Sequence, residues 1–220
     1  MTVALTLRCD GRRDYIEQTV QSIRAHTNVP FVEKIIIDDS GDLAYQLWLD
    51  DTFPEFTRIH HPERQGLGAC FQSALLAVMS TDADYGFMVE DDTPLLGYVD
   101  IDGMSIVLQS HAYLSQLMLA RPAFNDAEIA AGGVFQQTPD DFTECTNGLW
   151  TWIEHQKWYG FQPHLAPRHI IEDILDLATS FLELGVTVAL PSYKFGYWGG
   201  LDDPPLCAHT GTQRSANYRW

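Results

Sequence analysis

The stretch Phe87-Met88-Val89-Glu90-Asp91-Asp92 joins an apolar run directly to three acidic residues. The run begins near Tyr85 and is typical of a short buried strand. Carboxylates that follow such a strand suit a hard divalent cation such as Mg²⁺ or Mn²⁺. The alternative interpretation is a solvated acidic turn. The stretch therefore predicts a strand over Tyr85–Val89 with a candidate metal site at its carboxyl end.

The residues before this stretch alternate between strand-like and helix-like segments. Strands are predicted over Val3–Leu7, Glu33–Ile37 and Phe56–His60, and helices over Asp14–Ala25 and from Gln65-Gly66-Leu67-Gly68 onward. Such alternation is typical of parallel strands joined by helical crossovers. In these sheets ligands bind beyond the carboxyl ends of the strands. We therefore predict an α/β domain with a mostly parallel sheet flanked by helices.

The second half of the chain is less regular. A helix is predicted over Ser105–Leu119 and a strand over Glu128–Phe135. His169–Leu184 has the apolar stripe of an amphipathic helix. Val186–Leu190 is predicted as a strand, and a loop-rich tail follows from Tyr193.

Length and composition limit the class of protein. The chain has 220 residues and no repeat or linker, which favours a single domain. Its formal net charge of −17 disfavours binding to nucleic acids or anionic membranes. No apolar run approaches the roughly 18–20 residues of a membrane span, and no apolar signal stretch opens the chain. We expect a soluble, intracellular (cytoplasmic) protein without stable membrane insertion.

The four cysteines lie far apart and form no Cys-x-x-Cys pair. This spacing argues against a zinc ribbon, a redox pair and a disulfide framework.

Two further segments are candidates for nucleotide binding. Asp38-Asp39-Ser40-Gly41-Asp42 follows the second predicted strand, and Asp39 is a candidate ligand for a base or ribose. The same residue types are also those that turns prefer. Gly66-Leu67-Gly68 opens a helix directly after Arg64 and Gln65, where backbone N–H groups could approach a phosphate. Glycine-containing turns of this kind are also common without a ligand.

Two candidates for chemistry lie in the second half. Glu172-Asp173 lies in the first turn of the predicted amphipathic helix, where a catalytic carboxylate would be rigidly held. The helix dipole alone also favours acids there. His209 lies in Cys207-Ala208-His209-Thr210-Gly211 and is either a metal ligand or an ordinary histidine.

The order of these motifs resembles the GT-A-fold glycosyltransferases, and especially their family 2 group of inverting enzymes. Ile35-Ile36-Ile37-Asp38-Asp39-Ser40 resembles that group's strand ending in a nucleotide-binding Asp, and Arg64–Ala69 its Gly-rich turn. Phe87–Asp92 resembles the strand that ends in the Asp-x-Asp metal motif. Ile171–Val186 is similar to the acidic pair that opens a helix before a Leu-rich stretch, a Gly and a strand. The resemblance covers about residues 2–100 and 168–191.

The resemblance implies a single, Rossmann-like GT-A domain. Residues 1–100 would bind a metal, Mn²⁺ or Mg²⁺, and a nucleotide-sugar donor, for which a UDP-sugar is expected. Residues 101–220 would bind the acceptor and include the loop-rich tail. The implied metal ligands are Asp92, Glu90 and His209. The implied donor-binding residues are Asp10, Asp39, Arg64, Gly68 and Asp91. The implied catalytic residues are Asp173, as general base, and Glu172.

The sequence also departs from that group's pattern. Glu90 replaces the first Asp of Asp-x-Asp, and Arg8-Cys9-Asp10-Gly11-Arg12 replaces a Pro-Thr-Tyr-Asn-like turn. Asn217-Tyr218-Arg219-Trp220 only partly matches the Gln-x-x-Arg-Trp signature of processive synthases. We therefore expect non-processive transfer of one sugar with inversion, and a retaining mechanism stays open.

Two rival functions stay open as well. A sugar-phosphate nucleotidylyltransferase would normally carry a Gly-rich, basic loop after its first strand, where this chain has Cys9–Arg13. A catalytically silent GT-A-fold protein that binds a sugar nucleotide or a protein is the other rival. For an enzyme, the acceptor is a glycan, lipid, protein or modified nucleobase, and a local basic groove near Arg168 or Arg214 would suit the last. Trp150, Trp152 and Trp158 could stack on an acceptor ring or form part of the core.

Overall fold

Nine strands form one mixed sheet within residues 1–211, the part of the chain that this computed structural model describes. Arg214 and the sequence Asn217–Trp220 lie outside the described residues. The strands are β1 (Val3–Cys9), β2 (Glu33–Asp38), β3 (Thr57–His60), β4 (Tyr85–Glu90), β5 (Leu114–Leu119), β6 (Thr143–Thr146), β7 (Thr151–His155), β8 (His164–Pro167) and β9 (Lys194–Trp198). The helices are α1 (Arg13–His26), α2 (Leu43–Thr52), α3 (Leu67–Met79), α4 (Ile101–Ser110), α5 (Asp126–Ala131), α6 (Val134–Gln137), α7 (Arg168–Leu177) and α8 (Glu183–Ala189), with a 3₁₀ turn at Pro139–Asp141.

The strand order is β3-β2-β1-β4-β8-β5-β9-β7-β6. Strands β1 to β4 are parallel, as predicted, and α1, α2 and α3 connect them in turn. Strand β8 runs antiparallel between β4 and β5, whereas β5 and β9 are parallel. Strands β7 and β6 complete the sheet in antiparallel pairs. The predicted single-domain α/β fold is confirmed, with a mixed second half.

Both faces of the sheet are covered at β1, because helices pack against this strand from each side. Leu5 and Leu7 pack in one core cluster with buried residues of α1, α2 and α4. Ala4 points to the other face and packs in a second cluster with residues of α3 and α7. A strand buried on both faces carries a nearly continuous apolar run, which is what the sequence of β1 shows.

The structure corrects the predicted helix over Ser105–Leu119. Helix α4 ends at Ser110, and Leu114–Leu119 forms β5, all six residues of which are buried. A continuous apolar run fits a buried strand and a buried helix equally well, so periodicity alone could not separate them.

The predicted strand over Glu128–Phe135 is also wrong, because this segment forms α5 and α6. The Asn125 side chain accepts from the Glu128 backbone N–H, and Glu128 returns a bond to the Asn125 backbone. This capping box starts α5, and Gly132 ends it in the left-handed conformation at φ +91°.

The predicted helix over His169–Leu184 is shorter in the structure. Helix α7 ends at Leu177, a bend follows, and α8 begins at Glu183. Val186–Leu190, predicted as a strand, lies mostly within α8 with both end residues buried. The predicted loop-rich tail contains β9. Within residues 1–211 no helix combines the length and apolar character needed to cross a bilayer.

Candidate functional site

Polar residues collect at the edge of the sheet where β1, β2 and β4 end, which we call the carboxyl edge. Asp38 pairs with Cys9, and Glu90 pairs with Arg8, so the three strands end nearly level. Backbone hydrogen bonds continue this pairing beyond the strands, because Asp39 N–H donates to Cys9 O and Asp91 N–H to Arg8 O, both at 2.9 Å. The acidic segments after three different strands therefore meet at one place.

Three carboxylates at this edge surround one guanidinium. Arg12 Nε lies 2.8 Å from Asp10 Oδ1, and Arg12 Nη1 lies 2.8 Å from Asp92 Oδ2. Arg12 Nη2 also pairs with Asp91 Oδ1. We call Asp10, Asp91 and Asp92 the acidic cluster. Arg12 lies in the turn between β1 and α1, so the first turn of the domain supplies the counter-ion for the acids after β4.

The acidic cluster is buried, which makes its charges costly. Asp10, Asp91 and Asp92 are only 7%, 1% and 6% exposed. Burial raises the pKa of Asp91, and the neighbouring acids add to this, although Arg12 opposes it. Burial lowers the pKa of the Arg12 guanidinium, but the three carboxylates outweigh burial and raise it overall. The cluster is therefore a strongly negative pocket that depends on a nearby cation.

The chemistry of the acidic cluster fits a hard cation. Both carboxylate oxygens of Asp10, Asp91 Oδ2 and His209 Nδ1 are buried without a hydrogen-bond partner. Such oxygens and a neutral imidazole are ligand types that Mn²⁺ accepts. Within residues 1–211 no three His, Cys, Asp or Glu side chains already converge as a metal site. The Arg12 guanidinium lies between the carboxylates instead.

His209 lies beside the cluster on a segment anchored to the chain after β4. Thr210 N–H and Oγ1 both donate to Asp92 O, at 2.8 and 3.1 Å. The His209 ring packs on Phe124, with ring centroids 4.2 Å apart. Burial lowers the pKa of His209, with Asp92 opposing this, so the imidazole is favoured in its neutral form. The structure thus places His209 near Asp92, and their role as metal ligands stays a prediction.

Gly211 closes the far side of Asp92. A Cβ atom at Gly211 would lie 2.1 Å from Asp92 Oδ2 and 3.2 Å from Arg12 Nη1. No side chain fits at this position unless the carboxylate moves.

Glu90 has a different partner from the acidic cluster. Its Oε1 lies 3.4 Å from Arg8 Nη2, and Arg8 is buried with its guanidinium 5.1 Å from the ring centroids of Phe71 and Phe161. Burial raises the pKa of Glu90, although Arg8 opposes it. Glu90 therefore lies on the α3 side of the edge, next to Asp92 in sequence but paired separately.

Asp39, predicted to contact a nucleoside, is used inside the protein. It is fully buried and accepts from the backbone N–H groups of Gln65 and Gly66, at 2.7 and 2.8 Å. It also contacts His61 Nδ1 at 2.8 Å. These contacts hold the turn before α3 and leave no accessible surface on Asp39 for a nucleoside.

Arg64 and Gly68 likewise join parts of the edge. Arg64 Nη2 donates to Asp10 O at 2.8 Å, which ties the turn before α3 to the turn after β1. At Gly68, the first turn of α3 packs against Phe181 and Leu182, which lie 3.6 Å from where a Cβ would be. The bend before α8 therefore reaches the carboxyl edge.

The structure places Glu172 and Asp173 away from this edge. Pro167 pairs with Tyr85, the first residue of β4, so α7 begins at the opposite edge of the sheet. Asp173 Oδ2 accepts from the hydroxyl of Tyr193, directly before β9, at 2.8 Å. Glu172 is exposed and lies 3.6 Å from Arg168. No motif in the sequence indicates that β8 is antiparallel, and the direction of β8 reverses the edge at which the next helix starts. Asp173 is therefore not placed to act as the base, nor Glu172 to assist it.

Glu183, which the sequence reasoning missed, lies at the carboxyl edge instead. Its Oε1 accepts from the Phe161 backbone N–H at 3.0 Å, and Arg8 Nη2 donates to the Phe161 carbonyl at 3.1 Å. Glu183 is exposed to solvent as a residue, but neighbouring atoms partly bury its carboxyl, and this burial raises the pKa of Glu183. An acid in the first turn of a helix was the available signal, but the predicted helix ran through this position.

The three tryptophans considered for the acceptor have structural contacts. Trp152 is buried in the core, Trp150 Nε1 donates to Asp100 at 3.0 Å, and the Trp158 ring packs on His155.

Comparison with known proteins agrees with this geometry. No family model and no curated protein matches the sequence significantly. Among solved structures, residues 1–349 of S. aureus TarS in complex with UDP match with a TM-score of 0.61 and 16% identity, covering 94% of this chain and 60% of that one. The complex of this fragment with UDP-GlcNAc matches with a TM-score of 0.60 and 14% identity, covering 97% and 62%. GalNAc-T7 with UDP, GalNAc and Mn²⁺ matches with a TM-score of 0.68 and 7% identity, covering 95% and 44%.

These matches define the class of fold. The chain shares the GT-A-like fold of these glycosyltransferases, which confirms the fold that the sequence resemblance implied. It spans about 60% of the length of the TarS fragment and 44% of GalNAc-T7.

Proposed function

We propose that this chain is a glycosyltransferase that moves one sugar from a nucleotide-sugar, a UDP-sugar, to an acceptor hydroxyl. The observation that carries the proposal is the acidic cluster at the carboxyl edge of a GT-A-like fold, with His209 beside it. The edge is where ligands bind in sheets of this kind. The UDP in the TarS and GalNAc-T7 structures supports the choice of nucleotide.

A divalent metal belongs to this proposal. Asp92 and Asp91, with His209, would hold Mn²⁺ or Mg²⁺ at the cluster, and Glu90 would support the site through its charge. A metal held there would supply positive charge to offset the charge that develops on the leaving diphosphate.

The general base in this proposal is Glu183 rather than Asp173. A carboxylate with a raised pKa accepts a proton more readily near neutral pH. The Phe161 N–H fixes one oxygen of Glu183 and leaves the other for the acceptor hydroxyl. Glu90 lies close enough to both Asp92 and Glu183 to interact electrostatically with each, so the proposed base and the metal-binding acids belong to one region. Inversion stays part of the proposal, because a general base here would assist direct attack by the acceptor hydroxyl.

The remaining donor-site residues act through the backbone. Arg64 holds the turn that carries Asp10, and Asp39 holds the turn that leads to Gly68. Asp10 has two buried oxygens without hydrogen-bond partners and is the candidate contact for the donor. The acceptor stays a glycan, lipid, protein or modified nucleobase. Transfer is non-processive in this proposal.

A donor-binding experiment tests the function. Thermal unfolding would be followed with UDP, UDP-sugars and other nucleoside diphosphates, with Mn²⁺ or with a chelator. We expect stabilisation by the uridine series only with metal, lost in Asp92→Asn and kept in Asp173→Asn. Slow metal-dependent hydrolysis of one UDP-sugar would identify the donor.

Other results would favour a different function. Pyrophosphate release from a nucleoside triphosphate and a sugar phosphate would favour the nucleotidylyltransferase. Metal-linked nucleotide binding without any turnover would favour a silent binding protein. Absence of metal-linked binding to every nucleotide would contradict both enzymes and leave only a silent member of the fold that binds a protein.

A further inference from the structure

The guanidinium of Arg12 contacts three buried carboxylates at once. These are all three members of the acidic cluster, and the guanidinium lies in the position that a divalent ion would also take. We propose that Arg12 is an exchangeable counter-ion. It neutralises the cluster in the donor-free protein, gives way to the metal and then pairs with the diphosphate of the donor. This inference rests on the proposed function.

The carboxylates of the acidic cluster are incompletely paired. Arg12 brings one positive charge to three buried carboxylates, so the cluster keeps a net negative charge. Arg12 Nε and Asp10 Oδ1 are 2.8 Å apart but lack hydrogen-bond alignment, and Asp10 Oδ2 and Asp91 Oδ2 have no partner. Unpartnered buried oxygens are costly, and a second cation would satisfy them. Because Arg12 already contacts one oxygen of each of the three carboxylates, a metal that binds the cluster must compete with it.

The Arg12 side chain is exposed enough for its guanidinium to move away from the carboxylates. Its side chain is 26% exposed, whereas its carboxylate partners are nearly enclosed. It extends over the Tyr15 ring, 5.0 Å from the centroid, which gives the guanidinium a supporting surface outside the cluster.

The N-terminus of α1 offers a place next to Arg12 where an anion is favoured. Arg12 is the N-cap residue of α1, and no side chain caps that helix. The free N–H groups of the first turn and the helix dipole favour an anion next to Arg12. A guanidinium released from carboxylates binds a diphosphate through the same forked N–H groups.

Arg13 provides a matched control. It is the next residue, is exposed, and its guanidinium lies 4.9 Å from the centroid of the Trp48 ring. It has the same charge and nearly the same sequence position, but no ion pair with the cluster.

The experiment measures two affinities for each variant of the full chain. Binding of Mn²⁺ alone would be followed by the loss of the free-ion signal in electron paramagnetic resonance. Binding of UDP at saturating Mn²⁺ would be followed by calorimetry. For Arg12→Met we expect Mn²⁺ alone to bind about tenfold tighter, because the competitor is gone, and UDP to bind about tenfold weaker. Arg13→Met should change neither affinity.

Opposite changes in the two affinities distinguish exchange from a structural role. If Arg12→Met weakens Mn²⁺ binding or leaves both affinities unchanged, the inference is overturned. Arg12→Lys keeps the charge without the fork and should give values between wild type and Arg12→Met, which provides a second test if the methionine variant unfolds. If the wild-type protein binds neither Mn²⁺ nor UDP, the proposed function fails. If it binds both without the opposite changes, only the exchange fails.

Discussion

The backbone N–H and carbonyl of Phe161 both form hydrogen bonds to charged residues of the site. Its N–H donates to Glu183, and its carbonyl accepts from Arg8, which pairs in turn with Glu90. Arg8 is also enclosed by the rings of Phe71 and Phe161. A buried guanidinium needs such partners, because losing one leaves an uncompensated charge. Phe161 therefore fixes the position of Glu183 relative to the acids after β4.

Replacement of Glu183 tests the base directly. Glu183→Gln keeps the shape of the side chain but cannot accept the proton, so kcat should fall about 10²–10⁴-fold. Affinity for UDP with Mn²⁺ should stay near that of the wild type. Asp173→Asn, the matched change at the opposite edge, should leave kcat unchanged. Equal losses in the two variants, or a loss only in Asp173→Asn, would contradict the assignment.

Replacement of Gly211 tests whether Asp92 binds the metal. In Gly211→Ala the new methyl group would overlap the Asp92 carboxylate, which must then move away from Arg12. We expect weaker Mn²⁺ binding, measured by titration of the free ion. Gly97→Ala is the control, because a Cβ there would have its nearest neighbour, Leu206, at 4.0 Å. Unchanged Mn²⁺ affinity in Gly211→Ala would show that Asp92 is not a ligand.

The turn before α3 depends on the single carboxylate of Asp39. In Asp39→Asn an amide replaces an oxygen that accepts from a backbone N–H, so two donors face each other. Hydrogen bonds to charged groups contribute about 1.5–3 kcal/mol each, and we expect the free energy of unfolding to fall by about 2–3 kcal/mol. Urea denaturation would measure it, and UDP affinity should fall with it.

Asp42→Asn is the control in the same loop. Asp42 caps α2 by accepting from Ala44 N–H at 2.8 Å, and asparagine caps helices about as well. Its cost should be a few tenths of a kcal/mol at most. A loss in Asp39→Asn no larger than this would mean that the turn holds without the charge.

Element boundaries in the second half show what the sequence hides. Val186, Thr187 and Val188 have β-branched side chains that favour a strand. Val186 in α8 and Leu190 directly after it are buried four residues apart, whereas Val188 is 70% exposed. Packing against α7 therefore overrides the local preference. The start of α5 is a different case, because the capping box of Asn125 and Glu128 was readable.

The direction of one short strand explains why the site was predicted only in part. The acids after β1, β2 and β4 could be placed at one edge because parallel strands end together. Strand β8 has four residues within an irregular segment, and its antiparallel pairing with β4 is a long-range choice. That pairing sends Asp173 to the far edge and returns the chain to the carboxyl edge only at Glu183. The fold class followed from the first half of the chain, whereas the position of the proposed base depended on tertiary structure.

A buried histidine links the stability of the whole molecule to pH. His164 is fully buried, where its Nε2 contacts the Tyr159 hydroxyl and its Nδ1 contacts the Gln162 carbonyl. Burial lowers the pKa of His164 to about 3 from its ordinary 6.5. The unfolded chain therefore binds the proton more tightly than the folded protein. The resulting loss of stability begins as pH falls below about 6.5 and is complete near pH 3.

This dependence is measurable by urea denaturation at a series of pH values. Between pH 6.5 and pH 4, wild type should lose more stability than His164→Gln, by roughly 2–3 kcal/mol. The variant lacks the titrating group but keeps a donor and an acceptor. Parallel pH profiles for the two proteins would contradict the buried neutral histidine.

The distribution of charge over the whole molecule favours a single place for an anionic ligand. The chain carries a formal charge of −17, and an anionic donor would be repelled by most of its surface. Arg8, Arg12 and Arg64 all lie at the carboxyl edge, next to the acidic cluster. In the proposed function, a metal together with these arginines would provide the local positive potential that a diphosphate needs.

Binding of metal and nucleotide at the acidic cluster is tested by a crystal structure of the protein grown with UDP and Mn²⁺, with anomalous data at the manganese edge. We expect an anomalous peak within ligand distance of the Asp92 carboxylate, with the diphosphate bound to the manganese and Glu183 facing the same cleft. A nucleotide bound elsewhere, or a manganese peak away from the acidic cluster, would contradict this expectation.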